Sequence, residues 1–156
     1  MPGEQKFLCD AMLGRLARWL RAAGYDTILA TGQESDRELI RDAIAEDRFF
    51  LTLDRDLLEH KAARGRTLIL GSEKTSAQAH ELKRALHIDW LFRPFSRCVV
   101  DNTLLRSANA KERAGLPPRV RDRGGPIAAC SLCGRTYWIG DHHARMRKRL
   151  ENWDQG

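Results

Sequence analysis

Carboxylates at the ends of short apolar runs are the residues best suited to chemistry in this chain. Asp10, Asp54 and Asp56 each lie just beyond an apolar run, and Asp36 lies at the start of a helical pattern. Carboxylates that gather in one place repel one another unless a hard cation such as Mg²⁺ neutralises them. Such clusters hold metal for phosphoryl chemistry. We therefore take all four as candidate catalytic residues, with Asp10, Asp36 and Asp54 as ligands of Mg²⁺ or Mn²⁺.

Each of these acids also has a structural explanation. Asp10 could cap the helix that follows it, and Asp36 could complement the dipole of its helix. Asp54 and Asp56 could belong to an exposed turn. The coincidence of several acids at strand ends favours the metal site over these alternatives. In that case Asp54 binds the ion, and Asp56 supports it or holds a second ion.

The apolar pattern indicates strands that alternate with helices. Strands are predicted at 6–9, 27–30, 49–53 and 67–70, with a further short strand at 88–92. Helices are predicted near 13–20, 39–44, 57–63 and 76–86. This alternation is typical of an α/β domain with a mainly parallel sheet flanked by helices. Ligands bind such sheets beyond the carboxyl ends of the strands, where the candidate acids fall. Ser35 and Glu38 form a capping-box pattern ahead of the second helix.

Charge is distributed unevenly along the 156 residues, whose net charge is +6. Residues 1–97 carry 16 Lys and Arg against 15 Asp and Glu, and residues 98–156 carry 11 against 6, so the second part supplies +5. This favours RNA or DNA as a partner over a merely soluble basic surface.

No apolar run reaches the roughly 20 residues of a membrane span, and the N-terminus lacks the apolar stretch of a secretory signal. We therefore expect a soluble cytoplasmic protein with no membrane partner.

Two basic helices could contact a polyanion. Arg15 lies on the first helix within two turns of Asp10 and could pair with a phosphate bound there, and Arg18, a further candidate contact, lies one turn further along. For Arg21, on the same helix, we favour a solvated position. A basic helix predicted near 141–150 supplies further candidate RNA contacts at His142, Arg145 and Arg149.

Tyr137 and Trp138 precede that basic helix. Aromatic faces stack with bases while neighbouring cations pair with phosphates, which is typical of RNA-binding surfaces. The alternative is that one or both rings pack a small local core. Residues 101–129, between these segments, are polar and predicted to form a long loop or hairpin insert.

A zinc site is predicted from the cysteines. Cys130 and Cys133 have the C-x₂-C spacing of a zinc knuckle, Cys98 supplies a third thiol, and Asp101 lies where a matching cysteine belongs. The four residues could hold Zn²⁺ as a Cys₃Asp site, because a carboxylate oxygen also binds zinc. The alternatives are a ribbon without metal, or a ligand donated by a nearby histidine. Cys9 lies in an apolar run and is predicted to be a small buried hydrophobe.

These segments together resemble the Mut-seven C-terminal RNase domain family of PIN-like nucleases. The most specific match runs through 7–21 and 24–26, and further matches fall at 35–36, 51–56, 97–98, 130–134, 137–140 and 142–146. The resemblance implies a PIN-like fold with a C-terminal zinc ribbon. It also implies metal-dependent RNA cleavage through Asp10, Asp36 and Asp54, with Asp56 as a fourth candidate. Two residues depart from the family pattern: Asp101 replaces a cysteine, and Leu53 replaces a basic residue.

The leading hypothesis is therefore a Mg²⁺- or Mn²⁺-dependent ribonuclease. We predict a PIN-like nuclease domain at 1–94 and a zinc-ribbon-like module with a basic helix at 95–156. Two alternatives are an RNA-binding protein without catalysis, and a toxin-like or regulatory nuclease controlled by a partner. The sequence predicts neither the RNA target nor whether cleavage is internal or from an end.

Overall fold

A four-stranded parallel sheet forms the centre of the protein. The structure, a computed structural model, describes residues 4–60 and 65–156, with the backbone alone at residue 58. The strand order is β2-β1-β3-β4, and all neighbouring strands are parallel. This confirms the predicted α/β fold with a parallel sheet. The strands are β1 (Phe7–Cys9), β2 (Thr27–Leu29), β3 (Phe49–Thr52) and β4 (Thr67–Ile69).

Three helices connect or follow these strands. They are α1 (Gly14–Ala23), which a 3₁₀ turn at Ala11–Leu13 precedes, α2 (Asp36–Ala45) and α3 (Thr75–Leu86). The predicted capping box opens α2, because the Glu38 amide donates to Ser35 Oγ and the Ser35 amide donates to the Glu38 carboxylate. Gly24 ends α1 with φ +104°, and a Cβ there would overlap the backbone carbonyl of Arg93. Only glycine therefore fits this helix end.

Alternate residues of β1 face two separate cores. Phe7 and Cys9 pack with α1 and α3, whereas Leu8 packs with the apolar face of α2. The sheet thus has helices on both sides. Cys9 is fully buried, as predicted, and burial raises the pKa of its thiol to about 12.

The C-terminal part contains a three-stranded antiparallel sheet of β5 (Arg106–Ser107), β6 (Ile127–Ala129) and β7 (Thr136–Trp138). The predicted hairpin at 101–129 is present, because β5 pairs antiparallel with β6, and two short helices lie between these strands, α4 (Ala110–Ala114) and α5 (Pro118–Arg123). A capping box of Asn109 and Glu112 starts α4. Proline at the first position starts α5, where its missing N–H costs nothing.

The final helix, α6 (Asp141–Gln155), extends beyond its predicted end at 150 and returns to the first core. Leu150 and Trp153 are buried among the residues that α1 and α3 contribute. Asp154 accepts hydrogen bonds from Lys83 Nζ at 2.9 Å and from the Trp90 amide at 3.0 Å. The boundary at residue 94 stays a prediction, but α6 belongs physically to both parts. None of the helices within 4–60 and 65–156 has the length and apolar character needed to cross a bilayer.

Two predicted elements differ in the structure. The strand at 88–92 is wrong, because the chain turns there: the Tyr25 hydroxyl bonds both the amide and the carbonyl of Asp89, and the Phe92 amide donates to the same carbonyl. The helix at 57–63 is represented by a 3₁₀ helix at Arg55–Glu59. Its last predicted residues, 61–63, lie outside the described residues.

Candidate functional site

The carboxyl ends of β1 and β3 meet at the centre of the parallel sheet. The chain passes from β1 to β2 at one edge and then returns past β1 to β3, so the direction of strand order reverses between β1 and β3. Open α/β sheets bind ligands in the crevice that forms at this point. Asp10 directly follows β1, and Asp54 lies two residues after the end of β3.

A buried hydroxyl joins these two acids. Thr52 Oγ1 donates a hydrogen bond to Asp10 Oδ2 at 2.9 Å and accepts one from the Asp54 amide at 3.1 Å. Thr52 is fully buried, so it fixes both acids relative to the sheet. Our sequence reasoning missed Thr52. The available signal was a single hydroxyl in the otherwise apolar run that precedes Asp54.

Backbone amides hold the carboxylates in place. Asp10 Oδ1 accepts from the Ala11 amide at 2.8 Å, so Asp10 also caps the 3₁₀ turn, which was the structural alternative. Asp54 Oδ1 accepts from the Asp56 amide at 2.9 Å. Each carboxylate oxygen has two lone pairs, so an oxygen with one such partner retains a lone pair for a cation. Oriented oxygens of this kind fit a hard ion such as Mg²⁺.

The other two predicted acids, Asp36 and Asp56, do not gather with Asp10 and Asp54 around one point in the described part of the chain. Asp36 is the half-buried first residue of α2, and Asp56 is exposed in the 3₁₀ helix at the end of β3. In the described part of the chain, the ligand atoms of Asp10, Asp36 and Asp54 do not form a group close enough to surround one ion. Thr52 thus connects the Asp10 carboxylate to the backbone of Asp54, and a cation shared with Asp36 stays a prediction.

The predicted zinc residues do converge. The ligand atoms of Cys98, Asp101, Cys130 and Cys133 all lie within 4.8 Å of one another. The Sγ atoms of Cys98 and Cys133 are 3.7 Å apart, and Cys130 Sγ lies 3.2 Å from Asp101 Oδ2. A tetrahedral zinc with Zn–S bonds of about 2.3 Å separates its sulfurs by about 3.8 Å. The donor set therefore fits zinc, and the cluster could bind a metal of this kind.

Hydrogen bonds lower the pKa of two of these ligands. Burial raises the pKa of the Asp101 carboxyl, but hydrogen bonds from Thr103 and from the Cys130 and Cys133 thiols outweigh it and hold that pKa well below its usual range. Burial also raises the pKa of Cys98, yet bonds from the Tyr137 hydroxyl and backbone amides lower it overall. The Tyr137 hydroxyl lies 3.1 Å from Cys98 Sγ. Tyr137 therefore orients a ligand, as a partner just outside a metal shell does.

Arg21 is buried, so its predicted solvated position is wrong. Its Nε donates to the Thr27 carbonyl at 2.9 Å, and its Nη1 donates to the carbonyls of Val99 and Val100 at 3.1 and 3.0 Å. A guanidinium offers five N–H donors, which suits a buried position surrounded by backbone carbonyl oxygens. Arg21 thereby ties α1 and β2 to the segment that carries Cys98. Periodicity placed Arg21 on a helix but gave no sign of this non-local partner.

A cavity of about 370 Å³ lies where α1 faces the C-terminal part. Basic and aromatic side chains from three elements share its lining. They include Arg15, Arg18, Trp19, Tyr137, Trp138 and His142.

The cavity separates the five predicted RNA contacts into two sets. Arg15, Arg18 and His142 line it. Arg145 is exposed on α6 outside the lining, and the Arg149 guanidinium lies over the Trp19 ring at 5.6 Å from its centre. An RNA role for each of these five residues stays a prediction.

Most of the chain matches the model of a known protein family. The model of the Mut7-C RNAse domain family matches residues 5–150. The chain belongs to this family. The viral “Uncharacterized protein ORF35” of Ictalurid herpesvirus 1 (strain Auburn) is 31% identical over 132 residues, which is 83% of this chain and 52% of that protein. The chain therefore spans about half the length of this curated relative. No solved structure matches the chain.

Membership of the Mut7-C RNAse domain family confirms the resemblance found in the sequence. It implies nuclease chemistry in the broad sense and suggests RNA as the substrate. The match includes the sheet edge with Asp10 and Asp54 as well as the Cys₃Asp cluster. Both sites thus belong to the family domain.

Proposed function

We propose that this Mut7-C domain is a Mg²⁺- or Mn²⁺-dependent ribonuclease that cleaves phosphodiester bonds at the carboxyl end of its parallel sheet. One observation carries the proposal: Thr52 links Asp10 to Asp54 at the point where the strand order reverses. The family match adds nuclease chemistry to that geometry. A buried hydroxyl that holds the Asp10 carboxylate and the backbone of Asp54 is an arrangement suited to ligands that must keep a fixed spacing.

The residues near the sheet edge have different roles in this proposal. Asp10 and Asp54 would be the principal ligands of the cation, with Asp36, the first residue of α2, as a further ligand. A cation held there would supply a coordinated water of lowered pKa and positive charge to stabilise the scissile phosphate. The Asp56 amide holds the Asp54 carboxylate through its 2.9 Å hydrogen bond. Arg15, exposed on the first turn of α1, pairs with a phosphate next to the cleaved bond.

The Cys₃Asp cluster has a different role in this proposal. Four protein ligands would close a tetrahedral zinc shell and leave no position for substrate or water. We therefore assign a bound zinc to the stability of the C-terminal part, and we assign cleavage to the cation at the sheet edge.

The test compares cleavage of mixed RNAs with and without Mn²⁺ for wild type and acid-to-amide variants. Asp10→Asn, Asp36→Asn and Asp54→Asn should each remove most cleavage while the fold persists, because each loses a charge and a ligand oxygen. Asp56→Asn should have a milder effect. A matched control is Asp47→Asn, at the opposite end of β3, which should cleave like wild type. Full activity of Asp54→Asn would refute the mechanism.

A second function, RNA binding without cleavage, is favoured by one observation. The basic and aromatic cavity is already formed, whereas within the described residues the three acids do not meet around one point. The same assay separates the two functions. RNA that binds wild type tightly but stays intact with Mg²⁺ and with Mn²⁺ would support binding alone.

A further inference from the structure

Trp138, the last residue of β7, lines the cavity beside α1 and is 37% exposed. The other large rings of this region are engaged: Trp19 packs edge-on against Trp153, and Phe95 lies 4.0 Å from the His143 ring. Among the aromatic pairs of residues 4–60 and 65–156, none includes Trp138. A flat, rigid and unpartnered ring of this type is a stacking surface for a nucleobase.

The rim of the cavity carries charge that suits a phosphate backbone. Arg15, Arg18 and Arg97 contribute three guanidinium groups, and Asp141 is the one acid in the lining. Arg15 and Arg18 lie one turn apart and are both exposed, so both are accessible to the phosphates of a strand that runs along α1. The volume, about 370 Å³, lies within the roughly 300–1,000 Å³ typical of small-ligand pockets.

Helix α1 connects this cavity to the sheet edge. The part of α1 that lines the cavity runs from Arg15 to Trp19, five to nine positions after Asp10, which corresponds to roughly 9–15 Å along the 3₁₀ turn and the helix. A strand that rises about 3.4 Å per stacked nucleotide covers this length in about three or four steps. Arg15 and Arg18 lie along this stretch of the cavity wall, where the intervening phosphates would pass.

We propose that the cavity binds one unpaired base of a single-stranded RNA, stacked on Trp138, a few nucleotides from the phosphate at Asp10 and Asp54. The inference rests on the proposed function, because the sheet edge defines the other end of the strand. A base inside a duplex is already stacked on both faces, so the cavity selects single strands or frayed ends.

Binding is measured with the full chain in an Asp54→Asn background, which keeps the RNA intact and needs no chelator. The probe is a short fluorescent RNA of mixed sequence, either alone or annealed to its complement. Trp138→Leu, which keeps apolar bulk but loses the ring, should weaken single-strand binding roughly 5- to 150-fold, and Trp138→Phe should weaken it by less than about fivefold. Duplex binding should change little in either variant.

Two controls separate stacking from loss of structure. Leu132→Ala removes an apolar side chain of the same module that is 73% exposed outside the cavity, and it should bind like the background. Zinc content and the melting temperature should stay unchanged in Trp138→Leu and Trp138→Phe. For the phosphate path, Arg15→Gln with Arg18→Gln should flatten the salt dependence of binding, whereas Arg84→Gln on α3 should not.

The outcomes distinguish this inference from the proposed function. Loss of single-strand binding in Trp138→Leu, rescued by Trp138→Phe, supports the base site even when wild type cleaves no RNA. Unchanged binding in Trp138→Leu overturns the base site even when cleavage depends on Asp54. Equal weakening of duplex and single-strand binding also overturns it, because a surface that recognises shape alone would behave in that way.

Discussion

Replacing Thr52 by valine tests the arrangement at the sheet edge most directly. Valine has nearly the same shape as threonine but cannot bond Asp10 or Asp54. The hydroxyl is fully buried and makes one hydrogen bond to a carboxylate at 2.9 Å and one from an amide at 3.1 Å. Thr52→Val therefore changes the positions of the two acids without removing either one.

The expected magnitude follows from these two bonds. A hydrogen bond to a charged group contributes about 1.5–3 kcal/mol, and one between neutral groups about 0.5–1.5 kcal/mol. Thr52→Val should thus lower the free energy of unfolding by about 2–4.5 kcal/mol, which corresponds to a fall of roughly 4–18 °C in melting temperature for a chain of this size. Loss of a partner that orients a metal ligand typically lowers activity or metal affinity about 10- to 100-fold.

Thr52→Ser is the matched control, because it keeps the hydroxyl and loses one methyl group, at a cost of about 1 kcal/mol. Cleavage of RNA at saturating Mn²⁺, the Mn²⁺ concentration at half-maximal rate, and thermal melting are measured for both variants. Serine should keep most activity and valine should lose it. Wild-type cleavage and Mn²⁺ dependence in a folded Thr52→Val would refute the reasoning that Thr52 orients these acids.

Two further predictions concern the C-terminal part. Asp101→Cys should raise zinc retention and the melting temperature, because thiolate is a softer and stronger ligand for zinc than carboxylate, while Asp101→Ala should lower both. Elemental analysis after dialysis checks this, and the cation needed for cleavage should not change. Arg145→Ala combined with Arg149→Ala should weaken RNA binding and flatten its salt dependence through lost phosphate contacts, and an unchanged slope in a salt titration would place the RNA elsewhere.

Local patterns predicted the parallel sheet and the positions of Asp10 and Asp54 just beyond its strands. Phe49–Thr52 is an apolar run bounded by polar residues, and such runs specify buried strands. Asp54 followed from that strand end, and the Cys98–Cys133 cluster followed from spacing alone, because knuckle geometry is encoded over a few residues. These features depend on residues that are close together in the sequence, so local patterns are sufficient to predict them.

The residues that sequence reasoning missed all act through distant partners. Thr52 bonds Asp10 across the sheet at a separation of 42 positions, and Arg21 bonds Val100 across 79. The false strand at 88–92 has the same cause, because its apolar residues belong to a turn that Tyr25 holds from 64 positions away. No window of sequence contains both members of such a pair, so propensity and periodicity cannot find them.

Those same distant contacts decide how the two parts of the domain are joined. Arg21 bonds carbonyls beside Cys98, and α6 buries Trp153 in the core that α1 lines. The cavity is lined by α1 on one side and by β7 and α6 on the other. The Arg21 hydrogen bonds and the burial of Trp153 therefore both hold its two sides in place. A metal bound at the Cys98 cluster would hold β7 through Tyr137. Loss of this metal should therefore weaken RNA binding at Trp138 before it disturbs Asp10 and Asp54, because Thr52 holds those acids separately.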